Sequence, residues 1–277
     1  MHTTLPTISI LGAGSMGGAI LSGLLQPSVT VDGGIRVTNR TEAKAAGLRS
    51  DDVLSYATEQ DPAANLAAVA GADIVLVAVK PHLVPDLLRE IAPALDPGTI
   101  VISVAAGVTV ATFESILPES VSVLRAMPNT PAFVRKGVTG LCAGTRSSAK
   151  DLAVASALFS TVGDVVVVPE SQIDAVSTIS GSGPAYVFYL IEELTRTALD
   201  LGFTPEQAAT MVNGTFLGAA ELLVSSGETP QELRRRVTSP KGTTERAIAE
   251  LEKADFKALF DRATAAALAR AKELAAS

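Results

Sequence analysis

The residues that most often signal chemistry are scarce in this chain of 277. It has one cysteine, Cys142, no tryptophan and two histidines, His2 and His82, and aromatic residues make up 4% of it. A single cysteine closes no internal disulfide, which fits a reducing compartment such as the cytoplasm. Cys142 sits in the apolar run 138–143, where a thiol is expected as a small buried hydrophobe rather than a nucleophile. With so few histidines and cysteines, a zinc centre and a Ser–His–Asp hydrolase are both poor readings, and no metal site is expected. Positive charge is also short: 22 Lys and Arg stand against 29 Asp and Glu, a net charge of −7. That balance argues against nucleic acid or an anionic membrane as a partner. No stretch reads as long and apolar enough to span a bilayer, and the N-terminus lacks a basic-then-apolar signal pattern, so a cytoplasmic protein is expected.

What the chain does have is glycine in a telling place. Ile8 and Ile10 alternate in a short β-branched run that ends in Gly12-Ala13-Gly14-Ser15-Met16-Gly17, followed by an apolar, helix-favouring stretch from Ala19. The G-x-G-x-x-G spacing between a strand and a helix has a physical meaning. Gly12 permits the tight turn, Gly14 lets a pyrophosphate approach the backbone, and Gly17 lets the helix pack on its strand. The phosphates would lie on unpaired N–H groups at the helix N-terminus, where the dipole favours negative charge. The alternative is a glycine-rich structural turn. About twenty residues on, the strand Ile35-Arg36-Val37-Thr38-Asn39 ends at Arg40. An NAD-type site usually has an acid here for the ribose 2′-OH. Asn39 and Arg40 would instead attract a 2′-phosphate, which favours NADPH, with NADH as the alternative.

The rest of the first half alternates strand and helix. Residues 51–72 read as a loop and a short alanine-rich helix. The run 74–79 reads as a strand buried on both faces that stops at Lys80-Pro81. A helix carrying Val84, Leu87, Leu88 and Ile91 precedes a strand at 99–104, which runs into the small residues Ala105-Ala106-Gly107. A strand at 121–124 leads into Arg125-Ala126-Met127-Pro128-Asn129-Thr130-Pro131, a loop stiffened by two prolines. Strands at 138–143 and 165–168 flank a helix from about Ser148. This order predicts an α/β fold, a Rossmann-like doubly wound sheet with extra strands at its far edge, over residues 1–168.

From Glu170 onward the strand signal disappears and four helical segments are expected over 169–277. One follows Gly181-Ser182-Gly183-Pro184, with an apolar stripe at Val187, Leu190, Ile191, Leu194, Ala198 and Leu201. Thr204-Pro205-Glu206-Gln207 is a capping box, and Thr229-Pro230-Gln231-Glu232 repeats the device. The last helix starts at Thr243 or Thr244 and runs to the C-terminus. A helical half so rich in small side chains suits packing against a second copy of itself, though the helices could also simply cover the sheet. Before the last helix, Ser239-Pro240-Lys241-Gly242-Thr243-Thr244 gathers N–H groups and hydroxyls at one point. Such a turn binds a carboxylate well, and equally serves as an ordinary helix cap.

Several stretches taken together resemble pyrroline-5-carboxylate reductase over essentially the full length. They are Gly12-x-Gly14-x-Met16-Gly17, Asn39-Arg40, Val79-Lys80-Pro81, 125–131, Gly181-Ser-Gly183-Pro184-Ala185-Tyr186 and Ser239-Pro240-x-Gly242-Thr243-Thr244. The resemblance implies NAD(P)H-dependent reduction of a cyclic imine, 1-pyrroline-5-carboxylate, to L-proline. It also implies a helical dimerisation domain and a homodimer, with dimers in the family often joined into larger rings such as a decamer. By the same resemblance the substrate carboxylate meets backbone amides at Lys241, Gly242 and Thr243, and the Thr244 hydroxyl meets the ring nitrogen as the candidate catalytic group. The glycine loop, with Ser15, and Asn39 and Arg40 match cofactor segments, and Val79, Lys80, Pro81, Ala105, Ala106, Pro128 and Asn129 match segments beside the nicotinamide. The family usually has glycine where this chain has Lys241. If that position needs φ > 0, lysine there costs about 1 kcal/mol.

Other readings remain on the residues alone. Hydroxyacid dehydrogenases that share the glycine opening use a lysine soon after the nucleotide domain, and this chain has none between Lys150 and Lys241. A six-membered imine, or a non-catalytic nucleotide sensor, is compatible with the same motifs.

Overall fold

The computed structural model describes residues 2–276, with side chains to Glu273. The chain forms two compact units, one built from the residues up to Ser182 together with the stretch from Ala267, the other from Gly183–Ala266.

The first unit opens with β1 (Thr3–Leu5) and β2 (Ile8–Leu11), then α1 (Ser15–Leu24), β3 (Val29–Val31), β4 (Ile35–Asn39), α2 (Glu42–Ala46) and β5 (Val53–Ala57). There follow α3 (Ala64–Val69), β6 (Ile74–Val77), α4 (Val84–Ile91), β7 (Ile100–Ser103), α5 (Val110–Ile116) and β8 (Ser122–Met127). The far edge is made by β9 (Gly137–Ala143), α6 (Ala149–Ser160) and β10 (Gly163–Val167), and α7 (Ile173–Val176) closes the series. Eight strands make one sheet in the order β10-β9-β8-β7-β6-β2-β4-β5, while β1 and β3 pair separately. Every pairing in the large sheet is parallel except β8 with β9. This is the Rossmann-like doubly wound sheet expected, with β9 and β10 as the extra strands.

Alternation along each strand divides the core. Ile74 and Leu76 face one side with Ile8, Ile10, Ile20, Leu24, Leu158 and Phe159. Val75 and Val77 face the other with Leu88, Ile91, Val101 and Phe113. Burying a side chain such as Phe113 stabilises the fold by roughly 2–3 kcal/mol, so each layer of helices is held to the sheet mainly by apolar burial. A partly buried ion pair joins β8 to α7 and the segment before it. Arg125 on β8, 5% exposed, has Nη2 2.7 Å from Asp174 Oδ1 and Nη1 3.5 Å from Glu170 Oε1.

Residues 53–57 depart from expectation. Instead of a loop they form β5, paired with β4 from Ile35↔Val53 to Asn39↔Ala57. Val53, Ser55 and Ala57 point inward and Leu54 is exposed, so a buried serine on an edge strand weakens the apolar signal while the period of two survives.

The second unit holds α8 (Gly183–Asp200), α9 (Pro205–Ser226), α10 (Pro230–Arg236), α11 (Thr243–Glu252) and the start of α12 (Phe256–Ala276). Thr204 and Gln207 form the expected reciprocal cap of α9. At α10 only half of the expected box forms: Thr229 Oγ1 accepts from the Glu232 N–H at 3.2 Å, and the Glu232 carboxylate is taken by Arg235 and Arg236. The single C-terminal helix of the sequence reading is two: Asp255 adopts φ 45° and its Oδ1 accepts from Ala258 N–H at 3.1 Å. An aspartate that can cap a new helix ends the old one. One further expectation is corrected. α9 is long and apolar enough, by length and composition, to cross a membrane, the one such helix among the described residues. Its charges are confined to Glu206 and Glu221, with small and polar residues scattered between that mask its overall hydropathy.

The second unit buries little of itself. Among its described apolar residues, Ala198, Ala208 and Val212 are buried, while Phe188 (65%), Leu217 (62%) and Val224 (81%) lie open in the single chain. The predicted stripe of α8 is mostly uncovered too, with Val187, Leu190, Leu194 and Leu201 exposed. An apolar face of this extent marks an interaction surface.

Candidate active site

The register of the parallel strands places five loops along one edge. Leu11 pairs with Thr38 on one side and Val77 on the other, Val77 with Ser103, and Ser103 with Arg125. The turns after β2, β4, β6, β7 and β8 therefore emerge side by side at the carboxyl edge, around the point where the strand order reverses, where open α/β sheets bind ligands. Those turns carry Gly12, Gly14, Ser15, Met16 and Gly17; Asn39 and Arg40; Val79, Lys80 and Pro81; Ala105 and Ala106; and Pro128 and Asn129. The sequence-predicted cofactor residues thus share one edge although they span more than a hundred positions of the chain.

Gly12 and Gly17 play the structural parts expected of them. Gly12 has φ +88°, and a Cβ there would lie 2.9 Å from Val79 Cγ1. A Cβ on Gly17 would lie 2.7 Å from the Gly12 carbonyl oxygen and 3.2 Å from Ile10 Cγ2, so glycine lets α1 sit down on β2. A Cβ on Gly14 meets no protein atom within 4 Å, so the protein's own packing does not require glycine there. α1 has no side-chain cap and no acid in its first turn, so its N-terminal N–H groups are left for an anion. Thr38, which the motif reading passed over, holds the loop: its carbonyl accepts from the N–H groups of Gly12 (3.1 Å) and Ala13 (3.0 Å), and Oγ1 lies 3.3 Å from the Gly12 nitrogen. The signal was its place at the end of β4, directly opposite Leu11.

Beside it, Asn39 is 5% exposed and its Nδ2 has no hydrogen-bond partner. A buried donor without a partner is costly in water-excluded surroundings and marks a place for an acceptor. Arg40 is exposed, with Nε 3.2 Å from Glu59 Oε1. These features fit a dinucleotide: open space at Gly14, an uncapped helix start, and donors at the end of β4.

Lys80 and Pro81 are exposed, Val79 and Ala105 are more sheltered, and Ala106 is open. Pro128 and Asn129 are buried. The Asn129 side chain is committed within the fold: Nδ2 donates to the Ser180 carbonyl at 2.9 Å and Oδ1 accepts from Val138 N–H at 2.8 Å. It ties the β8 turn to the π-helical turn Ser177–Gly181, so what this residue offers a ligand is its backbone. Cys142 is 1% exposed, and burial, with Glu170 nearby, pushes its thiol pKa up to about 11. That is a structural cysteine, as expected.

In the second unit, Lys241 has φ +60°, the left-handed conformation that glycine takes without strain. Its N–H donates to Glu245 Oε2 at 2.9 Å. Its ammonium is exposed, with no ion-pair partner among the described residues. Gly242 is the cap of α11, with no side-chain hydrogen bond there, and a Cβ on it would lie 2.9 Å from the Ser239 carbonyl oxygen. Thr243 and Thr244 occupy the first two helical positions. The predicted turn is thus a compact helix start with its first N–H groups uncapped by any side chain.

A Rossmann-like sheet with a nucleotide edge, followed by an all-helical unit with an open apolar face, defines the class: a nicotinamide-nucleotide-dependent oxidoreductase with a dimerisation domain. The pyrroline-5-carboxylate reductase dimerisation profile matches residues 170–274, and a profile described as NADP oxidoreductase, coenzyme F420-dependent, matches 7–107. Pyrroline-5-carboxylate reductase from Pseudomonas aeruginosa is 41% identical over 98% of this chain and 97% of its own. The same enzyme from Corynebacterium melassecola is 39% identical over 97% and 98%. The structure of a pyrroline-5-carboxylate reductase from Coxiella burnetii superposes with a TM-score of 0.89 at 38% identity, covering 96% of this chain and 97% of that one. The Plasmodium falciparum pyrroline carboxylate reductase, solved with NADP bound, gives 0.81 at 25% identity over 97% and 98%. The chain belongs to the pyrroline-5-carboxylate reductase family.

Proposed function

We propose that this chain reduces 1-pyrroline-5-carboxylate to L-proline, the last step of proline synthesis, using NADPH. The observation that carries the reading is the convergence of the glycine loop, Asn39 and Arg40 on one sheet edge in a chain whose family match extends end to end. The glycine loop and the α1 N-terminus would hold the pyrophosphate, with Asn39 and Arg40 at the adenosine end and Val79–Pro81, Ala105, Ala106, Pro128 and Asn129 toward the nicotinamide. Bound there, the cofactor supplies a hydride.

The protein's own work is then light, which suits a chain without a catalytic histidine. A cyclic imine is basic enough to carry its own proton, and the iminium is a ready hydride acceptor. Hydride adds to the imine carbon, the C=N π electrons move to nitrogen, and the protonated nitrogen becomes the amine of proline. Of the three expected carboxylate-binding N–H groups, those of Lys241 and Gly242 already donate within the turn, to Glu245 Oε2 at 2.9 Å and to the Ser239 carbonyl at 3.0 Å. The carboxylate would therefore be anchored at the start of α11, from the Thr243 N–H onward, and the Thr244 hydroxyl would orient the ring nitrogen. Such alignment contributes several kcal/mol to the rate, on the order of that seen for well-oriented reactants.

We assign residues 1–168 to the nucleotide domain and 169–277 to dimerisation and substrate binding. The open helical face of the second unit supports a homodimer, and assembly of dimers into a decamer is the further arrangement proposed. The charge balance and single cysteine support a cytoplasmic setting. The test is NADPH oxidation with pyrroline-5-carboxylate, with a hydroxyacid plus NADP+ and the six-membered imine run beside it. Turnover with the five-membered imine acid is expected; turnover confined to a hydroxyacid, or none at all, overturns the assignment.

A further inference from the structure

The adenosine end of the nucleotide edge contains a residue that the glycine motif does not predict. Arg40 leaves the end of β4 and Glu59 follows β5, the next strand in the sheet. The backbone fixes their approach: Thr58 N–H donates to the Asn39 carbonyl at 2.9 Å and Glu59 N–H donates to the Arg40 carbonyl at 3.0 Å. The side chains meet with Nε 3.2 Å from Oε1, although they are 82% and 54% exposed. An ion pair this open to water contributes little to stability, so the fold has no need of it. Its place is more informative, since Arg40 follows Asn39, whose Nδ2 is unpartnered, at the end of β4, where the dinucleotide reading puts the ribose.

The two charges pull cofactor choice in opposite directions. A guanidinium attracts a 2′-phosphate, while a carboxylate accepts from a ribose 2′-OH and repels a 2′-phosphate. We propose that Glu59 is a cofactor-selectivity residue: its carboxylate occupies Arg40 and opposes the 2′-phosphate, so that it restrains the NADPH preference Arg40 would otherwise set and keeps NADH usable. This rests on the dinucleotide reading above and goes beyond it by assigning a second residue, of opposite effect.

The test is calorimetric titration of the intact protein with NADP+ and with NAD+, for wild type, Glu59→Gln and Glu59→Ala, each checked for an unchanged circular dichroism spectrum. Loss of one like-charge contact at an exposed site is expected to tighten NADP+ roughly fivefold, to leave NAD+ unchanged or weaker, and to shrink at high salt. The kcat/KM ratio of NADPH to NADH should move the same way. If Glu59→Gln binds both nucleotides as wild type does, or binds NADP+ more weakly because Glu59 serves to hold Arg40 in place, the proposal is overturned while the dinucleotide site stands. If wild type binds neither nucleotide, the dinucleotide reading falls with it.

Discussion

Asp174 Oδ1 stands 2.7 Å from Nη2 of Arg125, a guanidinium buried in the sheet. The second acid, Glu170, is farther, its Oε1 lying 3.5 Å from Nη1 while accepting from the Val110 N–H at 2.7 Å. Asp174→Ala is expected to cost about 1–2 kcal/mol, less than for a fully buried pair, because Asp174 is partly open to water and Glu170 still faces the guanidinium. A urea midpoint within error of wild type would show that the pair carries no weight.

Thr244 is the second residue of α11, two positions past the capping residue Gly242. Thr244→Ala should lower kcat/KM for the imine roughly 10-fold or more, in the range of a lost transition-state contact, while NADP+ affinity by calorimetry stays the same. Wild-type kcat/KM in the variant would remove Thr244 from the reaction.

Arg40 is the cation at the end of β4. Arg40→Ala should weaken NADPH more than NADH and lower the ratio of their kcat/KM values about 10-fold, the scale of a lost charge-assisted contact to phosphate. An unchanged ratio would mean that Arg40 is a solvated loop residue.

Lys241 keeps a backbone conformation suited to glycine, at φ +60°. Lys241→Gly relieves the crowding of Cβ but loosens the unfolded chain, and the net gain in stability is expected to be about 0.5 kcal/mol. A lower melting temperature in the variant would show that the lysine side chain contributes more than its strain removes.

Burial keeps the Cys142 thiol neutral, with its pKa raised to about 11 from 9.0. A raised acid pKa means that the unfolded thiol ionises first, so its share of stability is full below pH 9 and is lost as the pH climbs from about 9 toward 11. The stability difference between wild type and Cys142→Ala should shrink across that interval, and native Cys142 should resist thiol reagents at pH 8 until urea exposes it. Rapid native labelling would contradict the buried assignment.

The amino-acid order alone determined the glycine turn, the other strands of the Rossmann-like half, the capping box of α9 and the change to helix after Glu170, because these are local: alternation, spacing and cap chemistry act within a few residues. It did not reveal β1 and β3, three-residue strands that pair only with each other, β5, whose buried Ser55 blurs the apolar signal, or the break at Asp255, where a cap competes with a helix that could have continued. Tertiary structure alone decided that Thr38 clamps the glycine loop, that the Asn129 amide is spent on Ser180 and Val138, and that Glu59 meets Arg40. Each of these depends on which strands lie side by side, and strand order is set by the packing of distant segments rather than by any one stretch of the chain.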